Sequence, residues 1–496
     1  MTTLVRRILL SSAGAVFALA LTTTDVAAQS VSFQGETFVN KGLVGVGRVP
    51  SNALDKFGDT LGGFGSGQTV LPGSWKKRPS GSFVGRLLAV PDRGWNTQGT
   101  VDYFGRLHRF EMTLQPFYGE STPDQNQMVL TYKTSNRFHD KQLTTGLDPT
   151  AVRAAGNGYP ALPVGPNGRV AVDDETIVYP GDGTMWVSDE YGPYVYHYTA
   201  SGKLLSVIRP PEAFIPKRGS VDDFSANSPP AGVVYNPPKG NPTSGRQNNQ
   251  GFEGMAISPD HTKLFVLLQS ALIQDTNATS AATIRTTRRN TRLLAYDITQ
   301  PVPALVGEYV VQLPQFGASL TAAQSEMLAL NDHQFLVLAR DSGAGFSLAS
   351  DTPVYRSIDL IDIADPAHPA TNIANTMYDL PANPVSPNGV LAPSITPVVY
   401  QPFIDINDNT QLNRFGLHNG APNDSNNLYE KWEALVVVPA FDKANPDDYF
   451  LVVGSDNDFI TQDGHMVGQP YNDGANVDTL VLVYRVTLPT YVKPAK

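Results

Sequence analysis

Acidic residues recur in this sequence at one place in a repeated pattern. Glu253-Gly-Met-Ala-Ile257 is followed by a Pro/Asp turn and then by Lys263-Leu-Phe-Val-Leu-Leu-Gln269. Glu175-Thr-Ile-Val-Tyr179, a Pro/Gly/Asp turn and Thr184-Met-Trp-Val-Ser-Asp189 repeat the arrangement. So do Glu326-Met-Leu-Ala-Leu330 with Gln334–Asp341, and Glu433-Ala-Leu-Val-Val-Val438 with Tyr449–Asp456. Two apolar runs around such a turn predict a β-hairpin. The first residue of one strand then lies beside the last residue of the next. Glu175 is therefore expected to meet Asp189, Glu253 to meet Gln269, Glu326 to meet Asp341 and Glu433 to meet Asp456. Asp92 ends a similar apolar run, Phe83–Asp92.

If the open ends of these hairpins converge, the acids share a small space. Carboxylates crowded together raise one another's pKa unless a cation separates them. Calcium is the expected occupant, because it takes six to eight hard oxygen ligands in flexible geometry. His and Cys do not recur at these positions, which disfavours a transition metal. Arg93 and Arg340 adjoin the acids and could hold an anionic substrate or offset charge. Any single acid in the set is more simply read as a turn former, as Asp182, Asp260 and Asp332 are. The repetition argues for a shared acidic rim.

The elements that must bring the acids together are short strands in self-similar units, the mark of a β-propeller. Further strands follow several hairpins, at Tyr194–Tyr198, Arg292–Ile298 and Leu480–Val486. Five units are clear. A less legible sixth is placed around Leu107–Arg169, so that the expectation is an all-β chain forming a single propeller of six blades, within a range of five to seven. The units exceed the roughly 40–50 residues of a plain blade, and the excess lies in Pro/Gly/Asn-rich insertions such as 216–250 and 382–427. A β-sandwich is the alternative.

The composition excludes other classes. With no Cys among 496 residues, disulfide scaffolds, thiolate metal sites and thiol nucleophiles are absent. A net charge of −10 argues against nucleic acid as a partner. Arg6 and Arg7, the apolar stretch Ile8–Leu21 and the small residues Val26-Ala27-Ala28 predict a cleaved signal peptide over 1–28. Residues 29–496 would form the propeller domain, exported to the periplasm or the medium, and no later run is long enough to span a membrane. The run Gly63-Phe-Gly-Ser-Gly67 fits neither a nucleophile elbow nor a phosphate loop. Asp405-Ile-Asn-Asp-Asn409 opens like a calcium-binding loop but lacks its Gly and closing Glu. His465 could reach the rim as an acid, although a surface loop is the simpler place for it.

Several segments together resemble the phytase-like family, described also by the "esterase-like activity of phytase". They are Pro91-Asp-Arg-Gly94, Val187-Ser-Asp-Glu-Tyr-Gly-Pro193, Gly251-Phe-Glu-Gly-Met255, Ser325-Glu-Met327, Ala339-Arg-Asp341, Lys431-Trp-Glu-Ala-Leu435 and Ser455-Asp-Asn-Asp458. The resemblance runs from about Leu61 to Val486. It implies a propeller and the hydrolysis of phosphate or other esters. Glu253, Glu326 and Glu433 are then candidates for metal binding or base chemistry, with Arg93 and Arg340 on the substrate. Asp92, Glu175, Asp189, Glu190, Asp341, Asp456 and Asp458 complete the candidate metal ligands. Thr176 and Ala434 stand where the family tends to have Gly after the acid, which adds bulk near the rim. The expected substrate is a small anionic or ester-bearing molecule. A lactone or carboxylic ester is the rival substrate, and a ligand-binding propeller without catalysis is the rival class.

Overall fold

The computed structural model describes residues 28–495. The expected leader, 1–28, falls almost wholly outside the described residues.

Each clear hairpin unit folds into one antiparallel sheet of four strands, with additions at its edges in two cases. The first blade comprises Gly67–Val70, Phe83–Val90, Arg106–Leu114 and Met128–Arg137, with the short strand Lys76–Lys77 paired to its second strand. The second comprises Asp174–Val178, Thr184–Asp189, Val195–Thr199 and Leu204–Ile208. The third holds Phe252–Ile257, Lys263–Leu268, Asn290–Asp297 and Ala304–Gln312. The fourth holds Ala323–Ala329, Gln334–Arg340, Arg356–Asp362 and Val399–Asp405. The fifth is built from both ends of the chain. Trp432–Pro439, Asp448–Ser455 and Thr479–Thr487 are joined by Glu36–Val49 and then Gln29–Phe33 on the outside. Val49 lies opposite Thr479 and Val46 opposite Leu482, so this pairing ties the N-terminal segment to the last strand.

The first strand of every blade is innermost, and each touches the first strands of its two neighbours, closing a ring of five. The ring is a β-propeller with the low end of the expected blade number. The expected sixth unit is not a blade. Arg106–Leu114 and Met128–Arg137 are the two outer strands of the first blade, and Ala151–Arg153 pairs with Leu162–Val164 in a separate small hairpin. The outer strand Met128–Arg137 alternates between more covered and more exposed positions, as an edge strand of a blade does.

The core explains why the inner and second strands read as unbroken apolar runs. Side chains on a strand alternate between its faces, and here each face packs against a different neighbouring blade. In the third blade, Leu264, Val266 and Leu268 pack toward the second, whereas Phe265 and Leu267 pack toward the fourth. In the fifth, Leu451 and Val453 join Leu336, Leu338 and Leu360 of the fourth, and Phe450 and Val452 join Leu87, Phe110 and Met112 of the first. Leu88, Val90, Val187 and Tyr196 fill the remaining gap between the first and second blades. A strand sandwiched this way has no polar face to display. Among the described residues, no helix is long and apolar enough to cross a membrane.

Candidate active site

The inner strands all start at one end of the axis, and four of them carry an irregularity there. The register shifts between Asp174 and Ile177, Phe252 and Met255, Gln324 and Glu326, and Trp432 and Ala434. An extra residue on one strand bends it and re-aims a side chain. Glu175, Glu253 and Glu433 occupy this irregular stretch in the second, third and fifth blades. In the fourth blade Ser325 has that place, and its hydroxyl donates to the Trp432 carbonyl at 2.8 Å. Glu326 comes one position later, deeper along the axis, and lies opposite Leu338 rather than Asp341. The blades approach so closely at this end that side chains are excluded from parts of the backbone. A Cβ on Gly67 would lie 2.1 Å from the Glu175 carbonyl oxygen, and one on Gly251 would lie 2.1 Å from that of Glu190.

Eight carboxyl groups gather at this mouth: Asp92, Asp173, Glu175, Glu190, Glu253, Glu433, Asp456 and Asp458. Three cations form salt bridges with them, namely Arg93, Arg340 and Lys431. The acids form two triplets joined by a pair. In the first triplet, oxygens of Asp92, Asp456 and Asp458 lie within 4.8 Å of one another. The Lys431 ammonium sits among them, 2.8 Å from Asp458, 3.3 Å from Asp456, 3.6 Å from Asp92 and 3.7 Å from Glu433. Ser66 Oγ donates to Asp456 at 2.9 Å, and the Tyr429 hydroxyl donates to Asp458 at 2.6 Å. Burial would push Asp458 up, but the charge and hydrogen bond of Lys431, with Tyr429, hold it below the ordinary range. Lys431 loses from burial and gains more from its four carboxylates, so its pKa is raised well above that of a free lysine.

In the second triplet, oxygens of Asp173, Glu175 and Glu190 also lie within 4.8 Å of one another. Among the described residues its only direct cation is Arg93, whose Nη1 donates to Asp173 Oδ2 at 2.9 Å and also to Asn249, while the Arg93 amide donates to Asp173 Oδ1 at 3.0 Å. Glu190 Oε1 is buried without a hydrogen-bond partner. Burial raises Glu190 to about 8, with the Asp173 charge adding to the shift. Glu175 is pushed well up by burial and then by Glu253, Asp173 and Glu190.

Glu253 and Glu433 lie between the triplets. Gln269 donates to Glu253 Oε1, as the hairpin pairing predicted, while Oε2 is buried and unpartnered. Its pKa is raised well above the usual range by burial, then by Glu190 and Glu433. Arg340 donates to Glu433 Oε1 and leaves Oε2 without a hydrogen bond. Burial lifts Glu433 to about 7 against the opposing pull of Lys431 and Arg340.

Three expected ligands are spent elsewhere. Asp189 Oδ1 accepts from the Asp173 amide at 2.8 Å and Oδ2 from the Gly192 amide at 2.6 Å, so it ties down the loop that carries Glu190. Its cross-strand partner is Asp174, not Glu175, because of the irregular register. Asp341 accepts from the Val354 and Tyr355 amides at 2.9 and 3.2 Å. Glu326 Oε1 accepts from the Met327 amide at 2.7 Å and lies 2.8 Å from Thr176 Oγ1. The single Thr176 proton goes to the Glu253 carbonyl at 2.7 Å, so this hydroxyl braces inner strands of neighbouring blades. Sequence reasoning missed Lys431, Asp173 and Asn249. Asp173 heads an Asp-Asp-Glu run that ends in Glu175, and Lys431 is the first residue of the Lys431-Trp-Glu-Ala-Leu435 motif.

A five-bladed propeller with a carboxyl-lined axial mouth is the class that fold and site define. Within that class the chain belongs to the phytase-like family, whose description is "esterase-like activity of phytase" and whose model matches residues 79–459. An uncharacterized secreted protein of Arthroderma benhamiae is 41% identical over 466 residues, covering 86% of this chain and 88% of the relative. Among solved structures, a luciferin-regenerating enzyme aligns over 88% of this chain and 95% of its own, at 11% identity and a TM-score of 0.27. The WD40 domain of Toxoplasma gondii coronin aligns over 92% of this chain and 88% of its own, at 7% identity and a TM-score of 0.25. Scores this low carry no weight for fold or function, and the propeller assignment rests on the strand order.

Proposed function

We propose that this protein is an exported, divalent-cation-dependent ester hydrolase whose reaction centre is the acidic mouth of the propeller. One observation carries the reading: among the described residues the Asp173–Glu175–Glu190 triplet has only oxygen donors and only Arg93 as a cation in contact, with Glu190 Oε1 buried and unpartnered. Such a donor set fits calcium, which prefers hard oxygen ligands. The other triplet fits it poorly, since Lys431 already fills the space between its carboxylates. Asp173, Glu175 and Glu190 would hold the ion. When bound, a divalent cation polarises an ester oxygen and lowers the pKa of water.

The chain's own groups complete the chemistry. Glu253 Oε2 has no hydrogen-bond partner among the described residues, which leaves it open to take a proton from a water at the mouth. Gln269 fixes the other oxygen and so the orientation of the carboxyl. Arg340 and Lys431 flank Glu433 and would offset charge that develops on the reacting oxygen. Asp92, Asp456 and Asp458 hold Lys431 in place.

The family description points to phosphate esters as the substrate class. A second reading, a lactone or carboxylic ester, draws support from the arginines. Arg93 is engaged by Asp173 and Asn249 and Arg340 by Glu433, so neither is free to clamp a polyanion. Export is inferred from the leader-like residues 1–28 and from the secreted relative. The test is a panel of phosphomonoesters, phosphodiesters, lactones and carboxylic esters assayed with calcium and with chelator. Turnover of at least one class that chelator removes and calcium restores is expected. Calcium binding without turnover of any class would instead identify a ligand-binding propeller.

A further inference from the structure

The wedge between the first and second blades opens into a groove of about 720 Å³ at the end of the ring opposite the acidic mouth. Leu71 and Tyr179 mark that end: they directly follow the inner strands Gly67–Val70 and Asp174–Val178, which begin at the mouth. With Val84 and Leu88 they give the groove an apolar lining.

Four cations stand in the same lining, Lys76, Arg86, Arg109 and Lys133, in a chain whose net charge is −10. Among the described residues Glu111 is the one acid there. The register gathers these groups, because Arg109 lies opposite Leu88 and Glu111 opposite Arg86, and residues directly opposite in a ladder share a face. Glu111 bonds to Lys133 at 2.9 Å rather than to Arg86. The hydrogen bond and charge of Lys133, then the charges of Arg78 and Arg86, hold Glu111 below the ordinary carboxylate range. Arg109 is half-buried and held by neutral acceptors. Its Nη1 donates to Asn136, and its Nη2 donates across the wedge to the Ala200 carbonyl at 2.6 Å. These bonds fix the guanidinium without cancelling its charge, which leaves it suited to an anion. The volume lies within the 300–1,000 Å³ typical of small-molecule sites. A long polyanion would extend past the groove onto a surface of the opposite disposition, since the chain as a whole is acidic. An inorganic anion would leave the apolar lining unused, and an uncharged molecule would leave the cations unpaired.

We propose that this interblade groove binds a small molecule that joins an apolar body to two or more anionic groups. The site is separate from the acidic mouth and does not depend on the reaction proposed there. The probe is naphthalene-1,3,6-trisulfonate, titrated calorimetrically into the full mature chain with and without calcium. Inorganic sulfate, which lacks the body, 2-naphthalenemethanol, which lacks the charge, and a short DNA duplex are titrated beside it. One trisulfonate should bind per chain in both conditions, about tenfold or more tighter than sulfate or the alcohol, as expected when charge-assisted bonds and apolar burial act together. Lys76→Gln combined with Arg86→Gln should weaken it about tenfold or more. Both side chains are exposed and make no salt bridge among the described residues, so the fold should stand. Glu111→Gln removes the competing acid and frees Lys133, and it should tighten binding about twofold or more. Absence of saturable trisulfonate binding, binding seen only with calcium, an affinity matched by any of the three controls, or an undiminished affinity in the double variant would overturn the proposal. If the double variant does not fold, a Glu111→Gln protein that fails to bind more tightly overturns it equally.

Discussion

The two carboxyl triplets at the mouth have the same number of acids and opposite ways of living with them. Asp92, Asp456 and Asp458 enclose the Lys431 ammonium, which touches all three and reaches Glu433 as well. Asp173, Glu175 and Glu190 have Arg93 on the Asp173 side only, and Glu190 keeps a buried oxygen without a partner. The acids reflect this in part: Asp458 is held below its ordinary pKa beside Lys431, although burial and Asp456 still push Asp92 well up, whereas Glu190 is pushed up to about 8. A cluster that carries its own cation is complete in the folded chain. One that does not must keep protons or take a cation from outside. The difference shows how a propeller mouth can hold a fixed charge on one side and a variable one on the other.

That contrast can be broken by neutralising the deficient triplet. Glu175→Gln or Glu190→Gln should lower calcium affinity and ester turnover by more than about 100-fold, since even groups that only support metal ligands cost 10–100-fold when changed. Calorimetric titration and initial rates check this, and near-normal binding in both variants would remove the triplet from the metal site.

It can be sharpened by emptying the complete triplet. Lys431→Met leaves three buried carboxyls facing no cation, and breaking a buried ion cluster in this way costs about 3–5 kcal/mol. Chemical denaturation in chelator should show that loss. Added calcium should recover much of it, with a second ion bound per chain. Unchanged stability would mean that Lys431 does not hold the cluster together.

The smallest effect concerns pH. In the metal-free protein Glu433 titrates near 7 and Glu190 near 8, against 4.5 for an ordinary glutamate. The folded state thus holds protons that the unfolded chain releases at lower pH. The stability linked to these groups is fully present below about 4.5 and is lost as pH rises through 7 to 8. Melting curves in chelator should therefore shift to lower temperature between pH 5 and pH 9, and calcium should flatten the trend. A melting temperature that climbs with pH over this range would contradict the charge assignment.

Much of this was legible because burial on both faces leaves a strong trace. The five hairpin units stand out as apolar runs, and an acid at the start of a strand with no other polar residue is conspicuous. What was not legible depends on register and on backbone partners. The extra residue in four of the inner strands turns Glu175 away from Asp189 and places Glu326 below the rim, and spacing alone carries no sign of it. Asp189 and Asp341 look like ligands because they end buried strands, yet their oxygens are taken by amides of neighbouring loops. Lys431 immediately precedes the strand Trp432–Pro439, and nothing in its spacing marks it as a partner of the rim acids. Only the closed ring, completed by Glu36–Val49 beside the last strand, brings Asp92 to it from the far end of the sequence.

Calcium-soaked crystals examined by anomalous diffraction test the central claim most directly. One strong peak bounded by Asp173, Glu175 and Glu190, with the Lys431 ammonium still seated among Asp92, Asp456 and Asp458, is the predicted result. A peak inside the second of these groups with Lys431 displaced, or none at the mouth at all, would contradict it.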